Sequence, residues 1–491
     1  MKIHFFNTLT GKKELFNPLS ASKVKMYCCG VTPYGNTHIG HSRTFFSYDL
    51  LYRTLVDQGY EIEWARNITD VDDKIINKAN SEGVSCGDIV SRYVAEQDEM
   101  LELFNLLRPQ YEPKVTESIP QIISLIQTLI DKEYAYVSKS GVYYRVRKFS
   151  EYGKLSKNKI NDLKKGARIE IDESKEDALD FALWKFVKPG EIFWSSPWGD
   201  GRPGWHVECS AMIHSKFGDS IDIHMGGRDL IFPHHEAEIA QSEGATGKPF
   251  ATNWLHAGMV TLYGEKMSKS TNHYVAIKDF LGKYPAEVLR LVFLSVSYGQ
   301  PLDFTFEMTT ENLKKLGKIY RFVSLVNEYS LQNSDDLTKQ YSESIFLDLP
   351  NLVLRMKEAL ADDLNSSAAL AIFFDFIRTI NTKISNLEKT GKILTKEDIA
   401  VLKSDWPKLK TWIKNVLGLL TKEPQEFFDD LKKFSLASEI SVKDINDKLE
   451  ERKLARLNKD WKKSDTIRDE LLAQGVQIQD TPSGTKWTIL L

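Results

Sequence analysis

Short apolar runs and helical apolar spacing take turns along the first eighty residues. Val24–Tyr27 is a compact strand signal that leads into Cys28 and Cys29. Helical spacing follows through Phe45, Leu50 and Leu51. Tyr60–Arg66 (YEIEWAR) then reads as a strand and Val71–Asn80 as a helix. This order predicts an α/β fold, a Rossmann-like doubly wound parallel sheet whose ligand crevice lies at the carboxyl ends of the strands. Residues 81–199 break the alternation. Asp88–Leu107 and Glu117–Lys132 carry helical spacing, Tyr134–Val146 alternates around Ser140-Gly141 as a hairpin does, and Lys148–Asp180 reads as charged loop. The first pattern resumes at Arg202, with a strand over Ser220–Met225 and Pro233 suited to the first turn of a helix. Beyond Tyr284 the strand signals end. Pro285–Tyr298, Thr310–Tyr329, Leu347–Ala361, Ser367–Leu387 and Ile399–Leu419 predict a helical half.

At 491 residues the chain exceeds what one core supports, so several domains are expected. A hydrophobic fraction of 42% with 27% charged residues fits a soluble globular protein. No apolar run reaches the length of a membrane span, and MKIHFFNTLTGKKELF lacks the apolar core of a signal peptide. A cytoplasmic enzyme is therefore expected. The net charge of −3 offers no global positive field, so contact with nucleic acid must come from local basic patches. Four cysteines, widely spaced except for the Cys28-Cys29 pair, make no disulfide framework and point to metal binding or burial.

The chemistry concentrates in Cys28–Arg43, CCGVTPYGNTHIGHSR. A strand, a glycine-containing turn and a helix start make a phosphate-receiving arrangement, because the first-turn N–H groups are free and the helix dipole favours negative charge. His38 and His41 share a helix face at i, i+3, and Gly40 leaves room for a nucleotide against the backbone. Far downstream, Lys266-Met267-Ser268-Lys269-Ser270 follows Gly264 and reads as a loop whose two ammonium groups suit a triphosphate and a departing pyrophosphate. Taken singly, the first stretch also reads as a surface turn and the second as a solvated basic loop.

Together, His38-Ile39-Gly40-His41 and Lys266–Ser270 resemble the paired signatures of the class I aminoacyl-tRNA synthetases. Cys29-Gly30-Val31-Thr32, GWHVECS at 204–210 and FPHHEAE at 232–238 are similar to the cysteinyl-tRNA synthetase family within that class, and the similarity runs over nearly the whole chain. The resemblance implies a cysteine–tRNA ligase: ATP-dependent formation of cysteinyl-adenylate, then transfer to the terminal adenosine of tRNA(Cys). It implies His38, His41, Lys266 and Lys269 as catalytic residues, with His38, Gly40, His41 and Lys269 on ATP and Mg²⁺ accompanying it. It places Gly30, Thr69, Trp205, His224 and Asp229 about the amino acid. It also implies one zinc ion per chain on Cys29, Cys209, His234 and Glu238. These donor types suit zinc, although only His234 and Glu238 are close in sequence, at i, i+4 on one helix face. Their other reading is packing for the cysteines and capping for His234.

Zinc at this place has a physical reason. Cysteine and serine differ by one atom, and a pocket that tests shape alone separates such isosteres by something on the order of a hundredfold. A metal that binds a thiolate strongly and a neutral hydroxyl weakly tests the chemistry instead. The substrate sulfur is then expected as a fifth ligand or in place of Glu238, the hardest donor. Alternation along the strand allows only one of Cys28 and Cys29 to face the site, and Cys28 is expected as packed core.

The tail adds a partner. Arg452, Lys453, Arg456, Lys459, Lys462, Lys463 and Arg468 surround Trp461, opposed only by Asp460 and Asp465. Basic groups track phosphates and an aromatic ring stacks an unpaired base; a solvated amphipathic helix is the plain alternative. The resemblance assigns anticodon reading to Arg456, Trp461, Asp465 and Asp480. The expected layout is a split catalytic domain (1–80 and 200–284), a connective insertion (81–199), a stem-contact segment (285–340), a helical bundle (341–430) and an anticodon-binding domain (431–491). A monomer is expected. Two departures stand out: Thr271-Asn272-His273 replaces the family's usual Leu-Gly-Asn, and Ser366-Ser367 its Thr-Pro. Thr32-Pro33-Tyr34 resembles ligases that join activated cysteine to a small amine, but such an enzyme has no use for a basic C-terminal domain. The intact signatures weigh against a catalytically silent RNA-binding relative.

Overall fold

The computed structural model describes residues 1–159, 174–267, 273–331, 344–390, 394–436, 442–458, 460–473, 476–481 and 484–489. They divide into two compact units, one of residues 1–274, 296–303 and 358–366 and one of 275–295, 304–357 and 367–491. Among the described residues no helix is long and apolar enough to cross a membrane.

At the centre of the first unit four parallel strands run in the order Ala251–Ala257, Ile221–Gly227, Lys23–Cys28, Glu61–Arg66. Ile221–Gly227 is buried at six of its seven positions, as a parallel strand covered on both faces should be. Lys23–Cys28 and Ile221–Gly227 open the two halves of the fold and lie side by side, with Tyr27 opposite His224. The chain leaves the two strands in opposite directions, Lys23–Cys28 toward Glu61–Arg66 and Ile221–Gly227 toward Ala251–Ala257. This is the topological switch point where open α/β sheets hold their ligands. The helix Ile39–Asp57 starts just beyond the first of these strands, with His38 at its N-cap in extended conformation. A buried Asp49–Arg53 pair anchors this helix: Asp49 accepts from the Leu107 amide at 2.9 Å and Arg53 donates to the Asn105 carbonyl at 2.7 Å.

The insertion forms a four-stranded antiparallel sheet, Ala135–Val137, Gly141–Tyr144, Phe181–Phe186 and Gly201–Pro203. The hairpin expected from alternation is its first half. Its last strand carries it a few residues past the expected end at Gly199. The insertion is fastened by the buried Glu236 carboxylate, which accepts from the Gly153 and Ser156 amides at 2.8 and 2.7 Å. Pro233 opens a helical turn that runs on into the helix Glu236–Thr246, and Phe232 before it is extended (φ −139°, ψ 132°), as a residue preceding proline is driven to be.

The second unit is mainly helical, with Ala286–Leu294, Phe306–Ser330, Ser366–Lys389 and Lys396–Trp412 close to the expected spans. Asp398 is its densest polar point. One oxygen accepts from the Ile345 and Phe346 amides, each at 2.8 Å, and from Ser344 Oγ; the other closes a capping box with Thr395. Asp398→Ala would leave these buried donors unpartnered, at about 1–3 kcal/mol apiece before relaxation. A loss of about 3 kcal/mol or more is expected in the unfolding of this unit, read by chemical denaturation.

The strand signals do not end at Tyr284. Val476–Thr481 pairs antiparallel with Gly484–Ile489, and with Val442–Leu457 and Trp461–Ala473 builds a small module around Ile445, Ile467, Leu471 and Val476. The alternation of Val476 and Ile478 with glutamines is the signal for it, diluted by the polar residues of a two-stranded hairpin.

Candidate active site and metal centre

The switch point opens into a cleft of ≈ 260 Å³ that is lined from both halves of the sheet. Gly30 begins its wall. A Cβ there would lie 1.9 Å from the Asn67 carbonyl oxygen, so no other residue fits without moving backbone. The Gly30 amide donates to Asn67 Oδ1 at 2.7 Å, Asn67 Nδ2 donates to Thr69 Oγ1 at 3.0 Å, and Thr69 donates to the buried Glu208 at 3.3 Å. Burial holds the Glu208 carboxyl well above the usual range, and the neighbouring Cys209 adds to it. Gly30, Thr69, Trp205 and Asp229, expected about the amino acid, all line this cleft. His224 does not line it. It is wholly buried and its Nε2 lies 2.8 Å from Glu238 Oε2, behind the wall.

On the other side stand His38 and His41, their rings stacked at 3.7 Å, with Gly40 between them so close that a Cβ would meet the His38 ring at 2.9 Å. Lys266 ends the two-residue strand Glu265–Lys266 and lines the same cleft. Met267 is buried, its sulfur 3.7 Å from that Gly40 Cβ position, so this segment folds down onto the helix start. Lys269 lies outside the described residues.

At the floor, one donor atom each from Cys29, Cys209, His234 and Glu238 lies within 4.8 Å of the others, all four residues buried. Cys29 Sγ is 4.0 Å from Cys209 Sγ and 3.6 Å from Glu238 Oε1, and His234 Nε2 is 3.0 Å from that oxygen. Bonds of about 2.0–2.3 Å set the ligand atoms of a tetrahedral zinc site roughly 3.3–3.8 Å apart, so the group fits the ion in chemistry and in span. The charges agree. Against burial, which raises it, His224 and His234 bring the Glu238 carboxyl down to about 2; against burial, which lowers it, Glu238 and Cys209 lift His234 to about 10. Cys29 holds the Cys209 thiol down at about 6, with help from His234, while burial and Cys209 push Cys29 up. The cluster carries anionic charge that a cation would neutralise.

A second quartet, Cys29, His224, His235 and Glu238, also falls within 4.8 Å. It faces away from the cleft and its imidazoles are engaged: His224 on Glu238, and His235 Nδ1 on His256 Nε2 at 2.8 Å. Cys29, Cys209 and His234 of the first quartet line the cleft. His206 Nδ1 lies 3.1 Å from His234 Nδ1 and Trp205 stacks on the same ring at 4.4 Å, fixing its outer side. Sequence reasoning missed His235, His256, Asn67 and Glu208. The doubled histidine of PHHEAE was the one visible signal for His235.

In the C-terminal module Arg456 lies in the last turn of Val442–Leu457, Trp461 opens the next helix and is 58% exposed, and Asp465 follows one turn on. The basic stripe is partly neutralised within the chain, Lys463 by Glu451 at 2.8 Å and Arg468 by Asp465 at 3.2 Å. Asp480 sits in the strand Val476–Thr481, its side chain outside the described residues, as is Lys459.

Comparison with known proteins gives a consistent picture. The family model for the tRNA synthetases class I (C) catalytic domain matches residues 15–314, and that for the DALR domain residues 355–421. The chain is 45% identical to the cysteine–tRNA ligase of Geotalea uraniireducens, over 100% of both chains, and 44% identical to that of Thermodesulfovibrio yellowstonii, over 99% of both. Among solved structures, Mycobacterium tuberculosis methionyl-tRNA synthetase in complex with methionyl-adenylate superposes with a TM-score of 0.62 at 15% identity, covering 81% of this chain and 92% of that one. The Agrobacterium radiobacter LeuRS of a ternary complex gives 0.59 at 11% identity, covering 82% and 85%. At such identities these two likenesses establish the fold.

Proposed function

Because the chain belongs to the cysteine–tRNA ligases of class I, we propose that this cleft activates cysteine with ATP and that its floor selects the amino acid through zinc. The protein is a cysteine–tRNA ligase: it forms cysteinyl-adenylate and passes the cysteinyl group to the terminal adenosine of tRNA(Cys). The observation that carries the zinc reading is the convergence of Cys29, Cys209, His234 and Glu238 beneath a cleft whose other wall bears His38, His41 and Lys266.

In the first step the cysteine carboxylate attacks the α-phosphate of ATP in line and pyrophosphate leaves. Such a displacement asks for positioning and charge stabilisation more than for covalent help. His38 and His41 at the helix start face the developing charge, Lys266 and Lys269 close over the departing pyrophosphate, and Mg²⁺ travels with ATP. Gly30, Thr69, Trp205 and Asp229 hold the amino acid, with Thr69 fixed in turn by Asn67 and Glu208. A zinc ion held by the quartet supplies a soft Lewis acid that takes a thiolate well and a neutral hydroxyl poorly. His224 serves by holding the outer oxygen of Glu238. Metal analysis of the purified protein, together with ATP–pyrophosphate exchange driven by cysteine or by serine, tests the reading. Absence of stoichiometric zinc, or equal exchange with serine, overturns it.

Arg456, Trp461, Asp465 and Asp480 are proposed to read the anticodon. The exposed Trp461 beside the basic stripe supports this, since base stacking on an aromatic ring is worth about 1–3 kcal/mol. Trp461→Ala is expected to lower kcat/KM for tRNA charging roughly 5- to 150-fold while leaving cysteine-dependent exchange intact; equal loss in both assays would remove Trp461 from tRNA recognition. The reading includes a cytoplasmic monomer, which sedimentation of the purified chain tests for its oligomeric part.

A further inference from the structure

Lys266 and Glu265 pair antiparallel with Thr261 and Leu262 across the two-residue turn Tyr263-Gly264, so Lys266 stands opposite Thr261. Two side chains hold this hairpin from outside. Asp303 Oδ1 accepts from the Gly264 amide at 2.6 Å and from Thr261 Oγ1 at 2.8 Å. His273 Nε2 lies 3.1 Å from the Leu262 carbonyl oxygen and 3.9 Å from a Glu265 carboxylate oxygen. A carbonyl only accepts, so Nε2 carries the proton and donates it. The next residue, Tyr274, brings its ring to 5.9 Å from that of His38. His273 and Tyr274 therefore touch both parts of the phosphate wall, the Lys266 hairpin and the His38 start of the helix Ile39–Asp57.

We propose that His273 is a positioning residue of the phosphate wall: through the Leu262 carbonyl it fixes where Lys266 stands relative to His38 and His41. The proposal rests on the reading above in which Lys266 meets the departing pyrophosphate. A lysine ammonium rides on a flexible four-carbon stem, so the backbone beneath it is what the protein can hold still. A charge stabilises a transition state best when it is in place beforehand, and a misplacement of about 1 Å is felt in the rate. The strand Glu265–Lys266 is two residues long and both are exposed, so burial does little to hold it and its hydrogen bonds decide its place. Asp303 grips the turn and Thr261; His273 adds the tie toward His38, because Tyr274 is its chain neighbour. With a side chain 31% exposed, His273 fills no core, and its removal should not register as lost packing. It stands where the family has asparagine, and both side chains carry an N–H that can meet a carbonyl.

His273→Ala should lower kcat for cysteine-dependent ATP–pyrophosphate exchange about 3- to 10-fold, the worth of one hydrogen bond, with bound zinc and the KM for cysteine unchanged. His273→Asn should restore most of the rate. A double-mutant cycle with Lys266→Ala decides the matter. Where His273 acts through Lys266, its removal should cost no more than about twofold once the lysine is gone. An equal loss in both backgrounds would overturn the proposal, since a general structural defect does not depend on the lysine. So would an unchanged rate in His273→Ala, or a His273→Asn variant as slow as His273→Ala. Full exchange in Lys266→Ala alone would overturn the placing of Lys266 at pyrophosphate, a failure told apart from that of His273 because it shows in the single variant.

Discussion

Cys29→Ser is expected to leave a folded protein that no longer retains zinc and whose cysteine-dependent ATP–pyrophosphate exchange falls by on the order of 10³-fold. The side chains are nearly equal in volume, so the core around Tyr27 and Val207 has no cavity to absorb. What is lost is the donor. Cys29 Sγ stands 4.0 Å from Cys209 Sγ and 3.6 Å from Glu238 Oε1, and a hydroxyl there stays protonated and binds zinc poorly. Two further results are expected with it. Added zinc should not restore exchange, and discrimination against serine should collapse along with the rate, because shape is then all that distinguishes the two amino acids. Cys28→Ser is the matched control. Cys28 is wholly buried on the opposite face, its thiol pushed up by burial, with the Trp64 indole as its neighbour. That variant should keep its zinc and its exchange rate while losing some stability. Metal content by atomic emission and initial exchange rates check both. A Cys29→Ser protein with full zinc and full exchange removes Cys29 from the site.

The resemblance to the family supplied the metal quartet as a set, Cys209 included, and local pattern accounts for part of it. Strand alternation separates Cys29 from Cys28, helical spacing stacks His234 over Glu238, and the strand–turn–helix order puts His38 at an N-terminus. Each is a relation within a few residues. What stayed hidden depends on register between distant strands. His224 reads as one more polar residue near a glycine pair; only the pairing of Ile221–Gly227 beside Lys23–Cys28 puts it behind Glu238 rather than on the cleft wall. His256 reaches the metal group only through His235, and Thr8, 248 residues earlier in the chain, completes that line at 2.8 Å from His256 Nδ1. No spacing rule links such positions. The C-terminal hairpin was missed differently: a local rule was present, the two-residue alternation, but a competing helical pattern carried more weight.

Lys266→Ala should separate the two halves of the cleft. Lys266 is held by the pairing of Glu265–Lys266 with Thr261 and Leu262, and Met267 next to it is packed down at Gly40, so backbone and neighbours persist when the side chain is cut. The charge removed is the one proposed to meet pyrophosphate as it forms. Loss of a single preorganised group of this kind costs about 10²–10³ in kcat. The zinc quartet, Thr69 and Trp205 are untouched, so metal content and the KM for cysteine should not change. Lys266→Arg tests whether charge alone suffices: a planar guanidinium keeps the charge but not the compact geometry of an ammonium, so partial recovery is expected. Exchange kinetics at varied cysteine and varied ATP give the separation directly. A variant whose whole defect lay in the KM for cysteine would place Lys266 with the amino acid rather than the leaving group, and the division of the cleft into a metal floor and a phosphate wall would fail with it.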